Sequence, residues 1–202
     1  MNPPTEHALP HGNLAAVALP QAYRLMNHGP TVLVSASHAG RRNVMAAAWA
    51  MPLDFDPPKV AVVIDKATFT RGLVEGSQRF ALSLPCRDIA DLAYTVGCES
   101  AHEGIDKFAR HGIGCLIGTE PSLPLIAGCV AWLECRVLPR PAIEQAHDLF
   151  LGEVTAAWAD TRVFREGRWQ FSEAHAGLRT LHHVAGGAFF SPADLMQANR
   201  LT

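Results

Sequence analysis

The feature that most constrains this fold is a series of short apolar segments of strand character, separated by helical segments that are short as well. The clearest are T-V-L-V-S-A-S at 31–37, K-V-A-V-V-I at 59–64 and R-F-A-L-S-L at 79–84, which are β-branched or alternating. Further strands are predicted at 43–51, 114–119, 129–138 and 149–159, and 178–190 closes the chain. No long helix alternates with the strands, which favours an antiparallel Greek-key barrel of six to eight strands over a doubly wound sheet.

Helical spacing and turn residues place the remaining elements. Helices are predicted at 19–26, 69–77, 88–96, 106–110 and 143–147, and Pro52–Pro58 is predicted to be a proline-rich loop. Thr68 or Thr70 is expected to cap the second helix, and Asp88 and Gly97 are expected to start and stop the third.

Composition limits the class of protein. The 202 residues are 49% hydrophobic and 18% charged with a net charge of −2, which indicates one globular domain and gives no basic surface for nucleic acid. No apolar run reaches the roughly 18–20 residues of a membrane span. Residues 1–11 lack the features of a signal peptide, so a cytoplasmic location is expected. Residues 1–13 are interpreted as a loose arm.

Cysteine and histidine patterns do not predict a metal site or a disulfide. The five cysteines are irregularly spaced and form no C-x-x-C pair, and Cys98 is expected to be the most exposed. His182 and His183 are adjacent, so on a strand they point to opposite faces and cannot easily share one ion. His102 and His111 flank the polar stretch 98–112 and are expected near the mouth of any site there.

The loop from Asp65 to Thr70 is a candidate phosphate site. It follows a buried strand and opens a helix, so a phosphate would meet backbone N–H groups, the Lys66 ammonium and the hydroxyls of Thr68 and Thr70. Simple helix capping beside a surface lysine explains the same residues and, taken alone, is the better explanation.

The segment from Asn43 to Met51 is a candidate site for a flat ring. Three consecutive alanines between Met45 and Trp49 would let a ring lie against the backbone, whose N–H groups could donate to it. A tightly packed strand would account for the alanines equally well. The sequence has no G-x-G-x-x-G, Walker A or G-x-S-x-G motif, so the usual dinucleotide, P-loop and α/β-hydrolase sites are not expected.

Taken together, the two segments resemble the flavin reductase-like FMN-binding split-barrel family. The family pattern N-x-(M/T)-(A/T)-x-W with a following methionine and proline is matched by N-V-M-A-A-A-W-A-M-P at 43–52. A D-P-P motif follows at 56–58, and the family's basic residue with Ser/Thr positions is matched by Lys66, Thr68 and Thr70. Ala67 stands where many members have serine, and Ser83 stands where many have asparagine.

Later motifs extend the resemblance from about Tyr23 to Phe190. They are G…S…D-K-F from Gly97 through Ser100 to Phe108, H-x-L-F-x-G-E-V at 147–154, where a histidine and an acidic residue lie near the ring or the dimer interface in the family, and L-H-x-x-G-G at 181–187. The resemblance implies a six-stranded antiparallel Greek-key split barrel at 23–190, with an arm and the first helix start at 1–22 and a tail at 191–202. It also implies a cytoplasmic homodimer that binds FMN near the subunit interface.

The resemblance implies the cofactor residues and the reaction. The implied FMN-binding residues are Asn43, Met45, Ala46, Ala47, Ala48, Trp49, Asp65, Lys66, Ala67, Thr68, Thr70, Ser83, Ser100 and Lys107. The implied activity is NAD(P)H-dependent flavin reduction, in which hydride passes from NADH or NADPH to flavin N5 and no catalytic acid or base is needed. Two alternatives stay open: a flavoredoxin-like electron carrier with a protein redox partner, and a binding module without activity.

Overall fold

The computed structural model describes residues 7–193 and 195–200, which form fifteen strands and five α-helices. The strands are β1 (His7–Ala8), β2 (Leu14–Ala16), β3 (Val32–His38), β4 (Arg41–Ala47), β5 (Ala50–Phe55), β6 (Pro58–Val63), β7 (Arg79–Leu84), β8 (Cys115–Ile117), β9 (Leu125–Ile126), β10 (Ala131–Val137), β11 (Leu149–Asp160), β12 (Phe164–Arg165), β13 (Arg168–Trp169), β14 (His182–Ala185) and β15 (Ala188–Phe190). The α-helices are α1 (Leu19–Ala22), α2 (Phe69–Ser77), α3 (Ala90–Cys98), α4 (Lys107–His111) and α5 (Pro141–His147).

Eight strands form one antiparallel sheet in the order β4-β3-β7-β10-β11-β6-β5, with β2 paired to β11. The three remaining sheets are small: β1-β8-β9 and the hairpins β12-β13 and β14-β15. The predicted mainly β, antiparallel fold with short helices is confirmed. Its main sheet has eight strands, which is within the six to eight expected from the strand pattern and two more than the resemblance implied.

The two outer strands of the main sheet, β4 and β5, are consecutive in the chain. Only Ala48 and Trp49 connect them, so the ends of the two strands can lie no more than roughly 11 Å apart. The amide of Val63 in β6 also donates to the Trp49 carbonyl (3.0 Å). The sheet must therefore curl until its edges meet at this corner, which produces an open barrel with a split beside residues 48–49.

The central strands are buried on both faces. One hydrophobic cluster contains Val34, Leu82 and Leu133. The residues directly before them, Leu33, Ala81 and Trp132, point into a second cluster on the opposite face. Helices α3 and α4 contribute Val96 and Phe108 to that second cluster. This double burial explains why the strands read as nearly continuous apolar runs.

The helix at 69–77 and the strand at 79–84 have the predicted bounds. The expected limits of the third helix were wrong: a 3-10 turn at Arg87–Ile89 precedes α3, no side chain caps it, and Gly97 lies inside the helix, which ends at Cys98. A Cβ at Gly97 would lie 3.1 Å from the Ala46 Cβ. Gly97 therefore permits close packing of α3 on β4 and does not stop the helix.

The predicted loop at Pro52–Pro58 was also wrong. Pro52 lies in β5, Pro58 begins β6, and only Asp56 and Pro57 form the turn between them. Strand β5 is at the edge of the sheet, where proline needs no ladder hydrogen bond on its outer side. The predicted strand at 43–51 is likewise two strands, because the chain leaves the ladder at Ala48 and Trp49.

The ends of the chain join the fold to different extents. Residues 1–6 of the arm predicted at 1–13 lie outside the described residues. In the remainder of the arm, β1 pairs parallel to β8 and so belongs to a sheet. The described tail residues, 191–193 and 195–200, contain no helix or strand.

Candidate functional site

The corner between β4 and β5 forms the floor of a cavity of about 420 Å³, which we call the corner cavity. Its floor is Met45–Trp49, where small alanine side chains leave room above the backbone. The exposed fraction of Trp49 is 76%. A volume of this size falls in the range of roughly 300–1,000 Å³ that small-molecule sites occupy.

Backbone groups at this edge are available to a ligand. Strand β4 has no strand partner on its outer side within the described residues. The Val44 carbonyl accepts from the Lys107 ammonium (2.9 Å), and backbone groups alternate between the two edges of a strand. The N–H and C=O of Ala46 therefore lie on the same outer edge as the Val44 carbonyl, beside the cavity.

Helix α3 and the β14-β15 hairpin form the walls of the corner cavity. Tyr94, Gly97 and Cys98 contribute from α3, whereas His183 and Phe189 contribute from the hairpin. The rings of His183 and Phe189 are 5.5 Å apart. A hydrogen bond with the Cys98 thiol raises the pKa of the Tyr94 phenol. The walls are therefore mainly apolar, with a phenol and a thiol at one side.

The loop before α2 lines a second cavity of about 580 Å³, which we call the Lys66 cavity. The Asp65 side chain accepts from the Ala67 amide (2.7 Å), and the Asp65 carbonyl accepts from the amide and the hydroxyl of Thr68 (2.9 and 2.7 Å). Of the two predicted capping residues, Thr68 and Thr70, it is Thr68 that occupies the N-cap position of α2. Its hydroxyl makes no capping bond. The loop is thus held in shape by Asp65, and Lys66 is exposed.

Basic and aromatic side chains surround Lys66. Arg41, His38 and His102 line the same cavity, and the Arg41 guanidinium lies 4.3 Å from the centre of the Phe69 ring. The His102 ring packs edge-on against Phe69 at 5.3 Å. The amides of the first turn of α2 have no partner inside the helix and carry its positive dipole end. Cations and N–H groups at this cavity suit an anion such as a phosphate.

The two cavities are adjacent along the chain. Asp65 lines the corner cavity, whereas the next residue, Lys66, lines the Lys66 cavity. An apolar cavity for a ring and a basic cavity for an anion are therefore one residue apart at the loop.

Six predicted site residues line neither cavity: Asn43, Ala67, Thr70, Ser83, Ser100 and Lys107. Thr70 is fully buried, and its hydroxyl accepts from the Asn43 amide (3.0 Å), so this pair ties β4 to α2. Ser83 is fully buried in a central strand and accepts from the Ile126 amide (3.2 Å). Lys107 is 2% exposed and bonds the carbonyls of Val44 and Val96.

The remaining predicted residues line the cavities. Met45, Ala46, Ala47, Ala48, Trp49 and Asp65 line the corner cavity, and Lys66 and Thr68 line the Lys66 cavity. Ala67 lies in the loop between them, and Ser100 caps the 3-10 turn that carries His102. His111 instead pairs with Glu99 (2.8 Å) and lowers the pKa of that carboxyl. In the 147–154 strand motif, Glu153 pairs with Arg136 (3.2 Å).

Sequence reasoning missed several cavity residues. Arg41, Phe69, Tyr94 and Phe189 were not singled out, although Arg41 belongs to a pair of arginines directly before the small-residue strand. That basic pair was the available signal. Tyr94 and Phe189 carried none, because only the packing of α3 and the C-terminal hairpin brings them to the corner.

The described residues contain neither a metal-binding cluster nor a membrane-spanning helix. No group of three or more histidine, cysteine or acidic side chains in 7–193 and 195–200 is placed to hold a metal ion. Across the same part of the chain, no helix has both the length and the apolar character needed to cross a membrane.

Comparison with known proteins identifies relatives along most of the chain. The family model described as "Flavin reductase like domain" matches residues 23–178. The uncharacterized protein YddH of Escherichia coli (strain K12) is 45% identical over 185 residues, which cover 90% of this chain and 96% of YddH. Most of the described core therefore has a counterpart in these relatives.

Solved structures show the same fold. An FMN-binding domain of a flavin reductases-like enzyme from Shewanella baltica OS155 has a TM-score of 0.90 and 46% identity, covering 93% of this chain and 98% of that one. The flavoredoxin of Desulfovibrio vulgaris (Miyazaki F) has a TM-score of 0.71 and 23% identity, covering 94% of each chain, and shares the fold.

Proposed function

The chain belongs to the flavin reductase-like family, and on that premise we propose that it is an FMN-binding oxidoreductase that uses NADH or NADPH to reduce flavin. The observation that carries the proposal is the adjacency of the corner cavity and the Lys66 cavity across Asp65 and Lys66. An FMN molecule has a flat, mostly apolar ring system and an anionic phosphate, and these two cavities match its two ends.

The residues of both cavities fit this cofactor. The alanine floor and the free edge of β4 would accept the ring face and hydrogen bond its polar rim, while Trp49, Tyr94 and Phe189 would shield it from water. Lys66, Arg41 and the first amides of α2 would hold the phosphate. When bound, FMN would supply the redox chemistry by taking a hydride at N5 from the nicotinamide. No acid or base on the protein is needed for that transfer.

The buried polar residues hold the two cavities in register. The Asn43–Thr70 bond joins the floor strand to the phosphate helix, and Lys107 joins the same strand to α3. Arg71, which is buried, bonds Glu75 on α2, Asp148, and the carbonyls of Ile64 and Glu144. We assign these residues to positioning and not to direct contact with FMN. Ser83 and Ser100 have the same supporting character.

A homodimer in the cytoplasm completes the proposal. Strand β5 exposes Met51, Leu53 and Phe55 on one face, with exposed fractions of 54%, 48% and 64%. An apolar face on an edge strand favours association, and it adjoins the corner cavity through Trp49. No disulfide joins the five cysteines, in keeping with a reducing compartment.

The first experiment measures FMN binding. The purified protein is titrated with FMN while flavin fluorescence and the visible spectrum are recorded, and Lys66→Ala is compared with Lys59→Ala, which removes the same charge from the β5-β6 hairpin. We expect Lys66→Ala to raise the Kd about tenfold, as the loss of one charge-assisted hydrogen bond implies. A protein that shows no change in the fluorescence or spectrum of FMN contradicts the proposal.

The second experiment separates a reductase from an electron carrier. The FMN-loaded protein is mixed anaerobically with NADH or NADPH, and flavin absorbance is followed by stopped flow. Bleaching by one of them within seconds supports the reductase. If neither bleaches the flavin within minutes, the reductase activity is refuted, and a flavoredoxin-like carrier with a protein redox partner becomes the better proposal. The Trp49 side chain, which is exposed beside the corner cavity, favours that alternative.

A further inference from the structure

A third cavity, of about 450 Å³, lies on the other side of the β14-β15 hairpin from the corner cavity. We call it the Trp169 cavity, and among the described residues it is lined mainly by the side chains of His28, Trp169, Phe171, His182, Phe190 and Leu195. Nothing in the proposed flavin chemistry uses these residues.

The hairpin separates this cavity from the flavin side by strand alternation. His183 pairs with Phe189 and both line the corner cavity, whereas His182 pairs with Phe190 and both line the Trp169 cavity. The sequence prediction that the adjacent histidines point to opposite faces is confirmed. A molecule in the Trp169 cavity would therefore touch the hairpin without occupying the place proposed for the flavin ring.

Aromatic rings dominate the lining. The rings of Trp169 and Phe171 stack at 5.2 Å with planes 16° apart, and the His28 ring lies edge-on 5.3 Å from Trp169 and 5.3 Å from His182. These aromatic side chains offer flat faces and edges against which another flat ring can pack.

The described part of the lining has no formally charged side chain at neutral pH. None of its described side chains is acidic, lysine or arginine. Burial, together with the nearby His182, lowers the pKa of His28 to about 4, and burial lowers the pKa of His182 too. Both imidazoles are therefore mainly neutral at pH 7, which favours a neutral ligand over a carboxylate.

Three polar atoms of the lining are buried without a hydrogen-bond partner among the described residues. They are the Trp169 indole Nε1, His28 Nδ1 and Ser191 Oγ. The other His28 nitrogen bonds the Thr180 hydroxyl (2.8 Å), so the ring is held with Nδ1 unpartnered. Buried polar groups normally have partners, and a missing bond is a cost that a ligand can remove. An indole N–H can only donate, so the ligand must offer an acceptor.

We propose that the Trp169 cavity binds a small, neutral, planar aromatic molecule that carries a carbonyl acceptor, which receives the Trp169 indole N–H. The ring lies against Trp169 and Phe171, and its carbonyl accepts from the indole N–H. This site does not depend on flavin binding and stands whether or not the protein reduces FMN.

The test follows the indole N–H directly. The FMN-saturated protein labelled with ¹⁵N is titrated with 2-acetylnaphthalene, a neutral two-ring ketone, while the four tryptophan indole signals are recorded. We expect the Trp169 signal, assigned by its loss in Trp169→Phe, to shift saturably. The Trp132 signal should stay fixed, because its N–H already donates to the Ile126 carbonyl (2.9 Å). 2-Ethylnaphthalene, which lacks the acceptor, should bind at least about tenfold more weakly.

Variants locate the binding. Trp169→Phe keeps the ring and removes the N–H, and we expect it to raise the Kd of the ketone about tenfold, as measured by NMR of the ligand. Trp49→Phe makes the same chemical change at the corner cavity and should leave that Kd unchanged.

Three results would overturn the proposal. The first is no shift of the Trp169 signal at the solubility limit of the ketone. The second is binding that FMN displaces or that Trp49→Phe weakens, which would place the ketone in the corner cavity. The third is a Trp169 signal that follows protein concentration and not ketone concentration, which would show that a second copy of the chain covers the cavity.

Discussion

Replacing Lys107 by methionine distinguishes a cofactor ligand from a structural tether. The resemblance to the family implied that Lys107 contacts FMN, whereas the structure shows its ammonium buried between β4 and α3, bonded to the carbonyls of Val44 (2.9 Å) and Val96 (2.7 Å). Methionine keeps an unbranched chain of similar length and removes the charge. The two roles predict opposite effects on the free energy of unfolding and on FMN affinity.

The size of the effect follows from the two carbonyls. Each buried acceptor left without a partner costs about 1–3 kcal/mol, so the pair costs about 2–6 kcal/mol. Burial lowers the pKa of Lys107, which shows that the ammonium itself is held at a desolvation cost. Its removal returns part of the loss, and we expect a net destabilisation of about 2–4 kcal/mol. For a chain of this size that lowers the Tm by about 4–16 °C.

The assay combines thermal denaturation, followed by circular dichroism, with FMN titration at a temperature where both proteins are folded. Lys107→Met should lose stability and change the FMN Kd less than threefold, whereas Lys66→Ala should show the reverse pattern. The reasoning is refuted if Lys107→Met keeps the wild-type Tm within about 1 °C and binds FMN at least tenfold more weakly. That result would place the Lys107 ammonium on the cofactor.

Three further predictions test the buried contacts and the exposed strand. Thr70→Val keeps the shape but removes the acceptor of the Asn43 amide, so urea denaturation should show a loss of about 1–3 kcal/mol. Thr95→Val, which removes a solvent-exposed hydrogen bond within α3, should cost less than about 0.5 kcal/mol. Below pH 6.5 His28 becomes protonated in the unfolded chain, whereas in the native state it stays neutral until about pH 4. The free energy of unfolding should therefore decrease as the pH falls, by up to about 3 kcal/mol from this group. His28→Phe should remove this contribution and leave a smaller decrease from His182 and, at the acid end, from carboxylates such as Glu99 whose pKa the fold lowers. Leu53→Asp should shift the protein from dimer to monomer in light scattering without changing its circular dichroism, and a wild-type protein that is already monomeric contradicts the proposed dimer.

The sequence pattern predicted those helices and strands whose bounds depend only on neighbouring residues in the chain. The helix at Phe69–Ser77 and the strand at Arg79–Leu84 were predicted to the residue, since helical spacing and strand alternation are both patterns that span only a few positions. Pro52 and Gly97 could not be interpreted in this way. Whether proline ends a strand depends on its being at a sheet edge, and whether glycine ends a helix depends on what packs against it. Both are facts of tertiary structure.

The candidate site shows the same division. The motif order predicted that the small-residue strand and the Lys66 loop belong to one site, and the structure places each of them at a cavity. The sequence could not distinguish an exposed lysine from a buried one, so Lys66 and Lys107 looked alike as ligands. Burial of Lys107 depends on α4, β4 and α3 meeting around it, and no window of sequence contains that information.

The two-residue connection at Ala48 and Trp49 has a consequence for how this chain can change over generations. This connection joins the two edges of the curled sheet and also forms part of the floor of the corner cavity. An added residue there would therefore separate the sheet edges and deform the floor at the same time. The turn at Asp56 and Pro57 lies at the other end of β5, where it neither joins the sheet edges nor lines the corner cavity. Insertions and deletions among descendants should therefore accumulate at 56–57 and be purged at 48–49, and a library of single-residue insertions selected for flavin colour would display that asymmetry.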